Sequence, residues 1–301
     1  MNEYYPPELL KKWNEASLSD NFIFCKVMSE NLDLCKEFLE MLLNIQIESI
    51  SLAQPEKTLD VDFFAKGIRL DVFVKDRTDR SFDIEMQVIG KKHLPLRARY
   101  YQSVLDVSIL RPGETYDSLK ESFVIFLCLE DIFGKGLPIY TFQSICAEDR
   151  NLLLGDLTTK VFCNALKYDK MPAEKLRTFF KFLLENKPDE TDFSKMLSEK
   201  VTRAKIPEDT KRIFMTLQQE ITLAAKEAFE EGYKKASEEA EKALKKVSEE
   251  KENVLKKAEM EKELAVEKEK LENARKLKES GVSAEIISKC TGLSLQQVQE
   301  L

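Results

Sequence analysis

Asp71, Glu85 and Gln87 are the residues whose types and spacing can do chemistry. They lie in IRLDVFVKDRTDRSFDIEMQV, where two runs of alternating apolar and polar residues flank the turn-rich DRTDR, the pattern of a β-hairpin. With the turn centred on Thr78, Asp71 and Glu85 are each seven residues from the centre, so antiparallel pairing sets the two carboxylates directly opposite one another. Leu70, Val72 and Val74 then align with Met86, Ile84 and Phe82 on the other face. That face is apolar throughout and supports the register without reference to the carboxylates. The polar face also carries Arg69 opposite Gln87 and Phe73 opposite Asp83.

Opposed carboxylates lie about 5 Å apart at Cβ and repel unless a proton or cation sits between them. A divalent cation there would polarise a phosphodiester oxygen and acidify a water for in-line attack on phosphorus. Gln87 is positioned to orient that water or the phosphate. It carries no charge, which leaves positive help to the metal, Arg69 or Lys91. Composition points the same way. A single histidine, His93, excludes zincins and multi-histidine nucleases. The six cysteines are scattered without a CxxC pair, which excludes zinc ribbons and disulfide scaffolds. Any metal site must use carboxylate oxygens, which suit Mg2+, with Mn2+ able to substitute. With 47 basic and 54 acidic residues the formal charge is -7, so DNA binding requires positive charge concentrated locally.

The elements that must position this hairpin follow from periodicity. Residues 17 to 45 carry a helical stripe including Phe24, Val27, Leu34 and Phe38, and residues 96 to 110 read as a second helical segment. ESFVIFLCLE is a continuous apolar run expected as a buried central strand, with IYTFQSIC and TTKVFCNAL as further strands. The fold class is therefore α/β. Expected domains are a core over 1–170, a helical extension over 171–222, a long charged helix over 223–279 and a small helix pair over 280–301. The apolar heptad of the long helix breaks at Lys251, Glu261 and Lys268, so its pairing into a homo-oligomer is a candidate rather than a requirement. No run approaches the roughly 18 apolar residues of a membrane span, and MNEYYPPELLKKW lacks a secretory pattern. A cytoplasmic protein is expected.

The spacing D-(x)13-E-x-Q within hydrophobic strands resembles the PD-(D/E)XK nuclease superfamily, where lysine commonly stands at the place of Gln87. The hairpin string, followed by LRARYYQS and LKESFVIFLCLEDIFGKGLPIYTF, is similar to the Rpn family of recombination-promoting nucleases, also labelled PD-(D/E)XK family transposases. The likeness runs from about Asp20 through Asn164, and the ending LKESGVSAEIISKCTGLSLQQVQEL also resembles tails in that family. It implies a restriction-endonuclease-like core, a mixed sheet flanked by helices. It further implies Asp71 and Glu85 as metal ligands with the Met86 carbonyl as a third, and Gln87 in the place of the catalytic lysine, where glutamine is usual in that family. A first-helix acidic residue often completes such sites, and of Asp20, Glu37 and Glu40 we favour Asp20.

Arg97, Arg99, Tyr100 and Tyr101 follow the hairpin and are candidates for contacts to DNA phosphate, sugar or base, with Lys160 a poorer one. The same cluster reads equally as an amphipathic helix with tyrosine buried and arginine exposed. The tail resembles a helix-turn-helix, but SLQQVQEL contains no Lys or Arg, so a protein-interaction module is an even alternative. The resulting expectation is a Mg2+-dependent DNA endonuclease linked to recombination or mobile elements. The alternative is a catalytically inactive DNA-binding or assembly protein on the same fold.

Overall fold

The computed structural model describes residues 5–59, 68–88, 93–110 and 113–301, and for several residues between 52 and 69 the backbone alone. Lys91 therefore lies outside the described residues, as does the side chain of Arg69. The chain divides into two compact units, Met1–Glu220 and Ile221–Leu301.

The first unit opens with three helices, α1 (Pro7–Glu15), α2 (Asn21–Glu30) and α3 (Leu32–Leu43). Asp20 starts α2 as its N-cap, its carboxylate accepting the Ile23 amide at 3.2 Å, which satisfies one of the donors a helix start leaves open. Strands β1 (Ile50–Leu59), β2 (Ile68–Asp76) and β3 (Ser81–Gln87) follow, then α4 (Leu94–Ile109) and strands β4 (Ser122–Cys128), β5 (Ile139–Phe142) and β6 (Thr158–Asn164). Among the described residues these form one six-stranded sheet in the order β1-β2-β3-β4-β6-β5. β3, β4 and β6 run parallel, while β1, β2 and β5 pair antiparallel with their neighbours. This mixed sheet flanked by helices is the expected α/β architecture.

β1 and α1 have no counterpart in the sequence expectations. β1 carries Pro55 in mid-strand, along with Gln54, Glu56 and Lys57, so the alternation that marks a strand is lost. It is tolerated because β1 is an edge strand, where a missing amide donor costs nothing on the outer side. The apolar run SFVIFLC, by contrast, is buried along its whole length as β4, at the centre of the parallel part.

Two cores cover the two faces of the sheet. On one, Val72, Val74, Phe82, Ile84 and Met86 pack with side chains of α1, α2, α3, α5 (Glu174–Glu185), α6 (Asp192–Lys205) and the first turns of α7 (Glu208–Glu279). Phe38 lies 4.7 Å from Phe179 between ring centroids, so α5 belongs to the same core as α3. Residues 171–220 thus share the packing of the first unit. On the other face Phe73, Val124, Phe126 and Phe162 meet Leu94, Ala98, Tyr101 and Leu105 of α4.

The second unit is the distal part of α7 with α8 (Ala284–Thr291) and α9 (Leu295–Glu300). Ile287, Leu293 and Val298 close on Ala274, Leu271 and Leu277, which gives this small module a core of its own. Gly292 adopts φ 72° between α8 and α9, and Ser294 and Gln297 form the expected reciprocal capping box. Among the described residues no helix is long and apolar enough to cross a membrane.

Candidate active site

The hairpin forms in the register read from its pattern. Val74 pairs with Phe82, Phe73 with Asp83 and Val72 with Ile84. The ladder ends there. Asp71 and Glu85, the next residues outward, exchange bonds between side chain and backbone: the Asp71 amide donates to Glu85 Oε1 at 2.9 Å, and the Met86 amide donates to Asp71 Oδ2 at 2.8 Å. Each carboxylate thus accepts an amide from the opposing strand, and the two groups close the open end of the hairpin. Leu70 departs from the expected face, packing with Phe73 and α4 instead of with Val72.

Both carboxylates are withdrawn from solvent, Glu85 completely. Burial first, and then the charge of Asp71, push the Glu85 carboxyl up to about 7, against the pull of the Asp71 amide and Arg97. A third carboxyl lies in the same row. Asp83 is fully buried two residues before Glu85, and its pKa is driven well up by burial and by the neighbouring Glu85 and Asp71. Among the described residues no amide or hydroxyl donor reaches either of its oxygens, an arrangement that favours a proton shared with Glu85. The role of Asp83 was missed from sequence, although its position on the polar face of the predicted hairpin was the signal that could have found it.

Around the acids stand three supporting side chains. Asn21, the first residue of α2, donates its amide to Asp71 Oδ1 at 2.9 Å. Arg97, in the first turn of α4, donates to Glu85 Oε2 at 2.5 Å, to Gln87 Oε1 at 2.8 Å and to the Tyr101 hydroxyl at 2.9 Å. Among the described residues the positive charge at the site is therefore Arg97, which the sequence reading assigned to phosphate contact. Tyr101, one helical turn further on, is buried beneath it, and burial and Glu85 push its hydroxyl up to about 12. Arg99 and Tyr100 are exposed on α4. The helix is thus amphipathic, but one arginine points into the site.

Of the remaining candidates, Asp20 caps α2 beside Asn21, and burial raises its pKa. The contact of α2 with Asp71 comes through Asn21. Glu37 pairs with Lys175, while Glu40 accepts the Ile47 amide at 2.8 Å and pairs with Lys36 at 3.1 Å, so both serve packing. Met86 sits between Glu85 and Gln87 on β3. Lys160 is half-buried on β6, in register with Val124 and so level with Asp83 two strands away, and its charge bears on Asp106. His93 is exposed at the N-cap of α4 with φ 67°.

The donor set fits a hard cation in kind. Among the described residues no three His, Cys, Asp or Glu side chains gather as a ready ligand cluster. A metal would therefore take the two carboxylates with amide or carbonyl oxygens and water, the mixture that Mg2+ accepts because it keeps part of its hydration. Glu85 Oε2 and Gln87 Oε1 already converge on one cationic group, the guanidinium of Arg97.

A family model described as PD-(D/E)XK nuclease family transposase matches residues 20–184. That span holds the whole six-stranded sheet together with α2, α3, α4 and all but the last residue of α5. No curated protein and no solved structure matches the chain.

Proposed function

The chain belongs to the PD-(D/E)XK nuclease family of transposases, and on that premise we propose that it is a Mg2+-dependent DNA endonuclease serving recombination or a mobile element. The observation that carries the reading is the open end of the β2–β3 hairpin. Two opposed, buried carboxylates lie there, with Glu85 Oε2 and Gln87 Oε1 turned toward a common positive charge. Asp71 and Glu85 are the proposed ligands, with the Met86 carbonyl as a third and Asp20 as the first-helix acid that completes the site. A bound Mg2+ would supply Lewis acidity to the scissile phosphodiester, and Mn2+ would serve in its place.

The residues of the chain do the rest. Gln87 orients the attacking water or the phosphate through its amide. Asn21 and the Met86 amide hold both oxygens of Asp71 in place. Arg99 and Tyr100, exposed on α4 beside the site, contact the DNA backbone, and Lys160 extends that surface further along the sheet. α7 exposes Phe229, Tyr233, Leu244, Val247 and Val254, which supports pairing between copies of the chain along this helix.

One observation favours a second reading, a non-catalytic DNA-binding or assembly protein: the guanidinium of Arg97 already neutralises Glu85. Plasmid nicking with Mg2+ or Mn2+ separates the two. Activity should vanish in Asp71→Ala and Glu85→Ala proteins whose circular dichroism is unchanged. Undiminished cleavage by both variants would rule out this site, and absent cleavage with retained DNA binding would favour the second reading. Competition with RNA tests the preference for DNA.

A further inference from the structure

Arg97 has an unusual set of bonds for a residue expected to greet a phosphate. Its three guanidinium nitrogens are all engaged: Nη2 with Glu85, Nη1 with Gln87 and Nε with the Tyr101 hydroxyl. Its Cζ lies 5.0 Å from the centre of the Tyr101 ring and 5.3 Å from that of Phe126. Phe126 is the register partner of Glu85 on β4, and Tyr101 is one turn of α4 beyond Arg97. The group is thus held over two aromatic faces by neighbours on two elements, an arrangement suited to a planar, delocalised cation and not to a lysine.

We infer that Arg97 is a positioning residue that holds Glu85 and Gln87 as one unit and competes with the divalent cation for the Glu85 carboxylate. The inference rests on the metal-binding reading above and adds a regulation of that site. Three buried carboxyls lie close together in the hairpin, and among the described residues the Arg97 guanidinium is the positive charge bonded to Glu85. The guanidinium bonds Glu85 through Nη2 and Gln87 through Nη1 at once, so a cation taking Glu85 Oε2 would have to displace the first of these bonds. Once Nη2 leaves Glu85, the guanidinium stays tethered at Tyr101, with its side chain 37 % exposed and able to turn toward an anion. A phosphodiester entering the site would thereby favour metal binding, and the two ligands would bind with positive coupling.

The test is calorimetric titration of the full chain with Mn2+ in the absence of DNA, with folding checked by circular dichroism. Arg97→Gln should bind Mn2+ at least about tenfold more tightly than the wild type, because a competing cation has been removed. Tyr101→Phe, which loosens the tether, should tighten binding about two- to threefold, and Arg97→Lys should fall between the two. Adding a short non-cleavable DNA should tighten Mn2+ binding in the wild type and have little effect in Arg97→Gln. Equal or weaker Mn2+ binding by a folded Arg97→Gln, with Glu85→Ala still abolishing it, would overturn the inference and leave the metal site standing. Should Arg97→Gln fail to fold, unchanged affinity in both Arg97→Lys and Tyr101→Phe overturns it. No Mn2+ binding by any variant removes the metal reading and this inference together.

Discussion

The two ends of one hairpin handle buried acid in opposite ways. At the turn, Asp76 is 1 % exposed and receives the Thr78 amide at 2.9 Å, the Thr78 hydroxyl at 2.8 Å, the Arg80 amide at 3.0 Å and the Arg80 guanidinium at 2.6 Å. Burial alone would raise its pKa, but these four donors outweigh it and hold the carboxyl below its ordinary range. At the open end, five residues further along β2, Asp71 shares its space with Glu85 and Asp83, and the latter pair is pushed up. Both ends pair an acid with an arginine. The turn has one buried acid and a full complement of donors, whereas the open end has three buried acids and, among the described residues, one guanidinium. The first arrangement stabilises the fold. The second crowds buried acids together, the setting in which the proposed cation would be held.

The comparison breaks most sharply if the open end proves dispensable for chemistry. Glu85→Ala should lower metal-dependent cleavage by roughly a thousandfold or more while leaving the folded state intact. Removing the acid at the turn should do the reverse. Asp76→Ala should cost about 2–3 kcal/mol in urea unfolding, because it strands the buried donors of Thr78 and Arg80. The pH dependence carries a definite sign. The folded pKa of Asp76 is depressed, so its contribution is fully present above the unfolded value near 4 and is lost as pH falls through the folded value. The stability gap between wild type and Asp76→Asn should therefore be widest at neutral pH and narrow below about pH 4. A gap that widened on acidification would contradict the assignment.

How much of this was legible in the sequence follows from how locally each feature is encoded. The register of the hairpin was readable because seven-residue symmetry about Thr78 and a wholly apolar opposite face are both properties of one short string. The buried run of β4 and the capping box at Ser294 were readable for the same reason. β1 was not, because Pro55 and its polar neighbours erase alternation and only pairing to β2 makes them a strand. The role of Arg97 was likewise hidden. Its position on a helix after the hairpin was visible, but contact with Glu85 depends on α4 crossing the sheet at Phe126, which no local pattern records. Asn21 drew no attention beside Asp20, since an amide becomes meaningful only when the start of α2 is brought to Asp71.

A smaller effect sharpens the contrast between the ends. Among the described residues no amide or hydroxyl donor reaches Asp83, so replacing it with the near-isosteric asparagine removes a carboxyl whose ionisation burial opposes and supplies an N–H toward Glu85. Asp83→Asn should raise stability by about 1 kcal/mol, seen as a Tm higher by roughly 2–4 °C. The corresponding change at the turn, Asp76→Asn, should lower it. If both variants lowered Tm, the open end would be as well satisfied as the turn and the distinction would fail.

The finest test stays at the turn. Thr78→Ala deletes one hydroxyl donor to Asp76 Oδ1 and keeps the amide bond to the same oxygen. Three donors then remain on the carboxylate, so the expected cost is about 0.5–1 kcal/mol, the ordinary value of one hydrogen bond. In an Asp76→Ala background the same substitution should cost almost nothing, because the hydroxyl has lost the acceptor it served, and the double-mutant cycle should return a coupling close to the whole single-mutant effect. An additive result would mean that Thr78 stabilises the turn through its backbone preference and that the Asp76 clasp is looser than its geometry indicates. Cleavage, which depends on the other end of the strands, should be unchanged throughout.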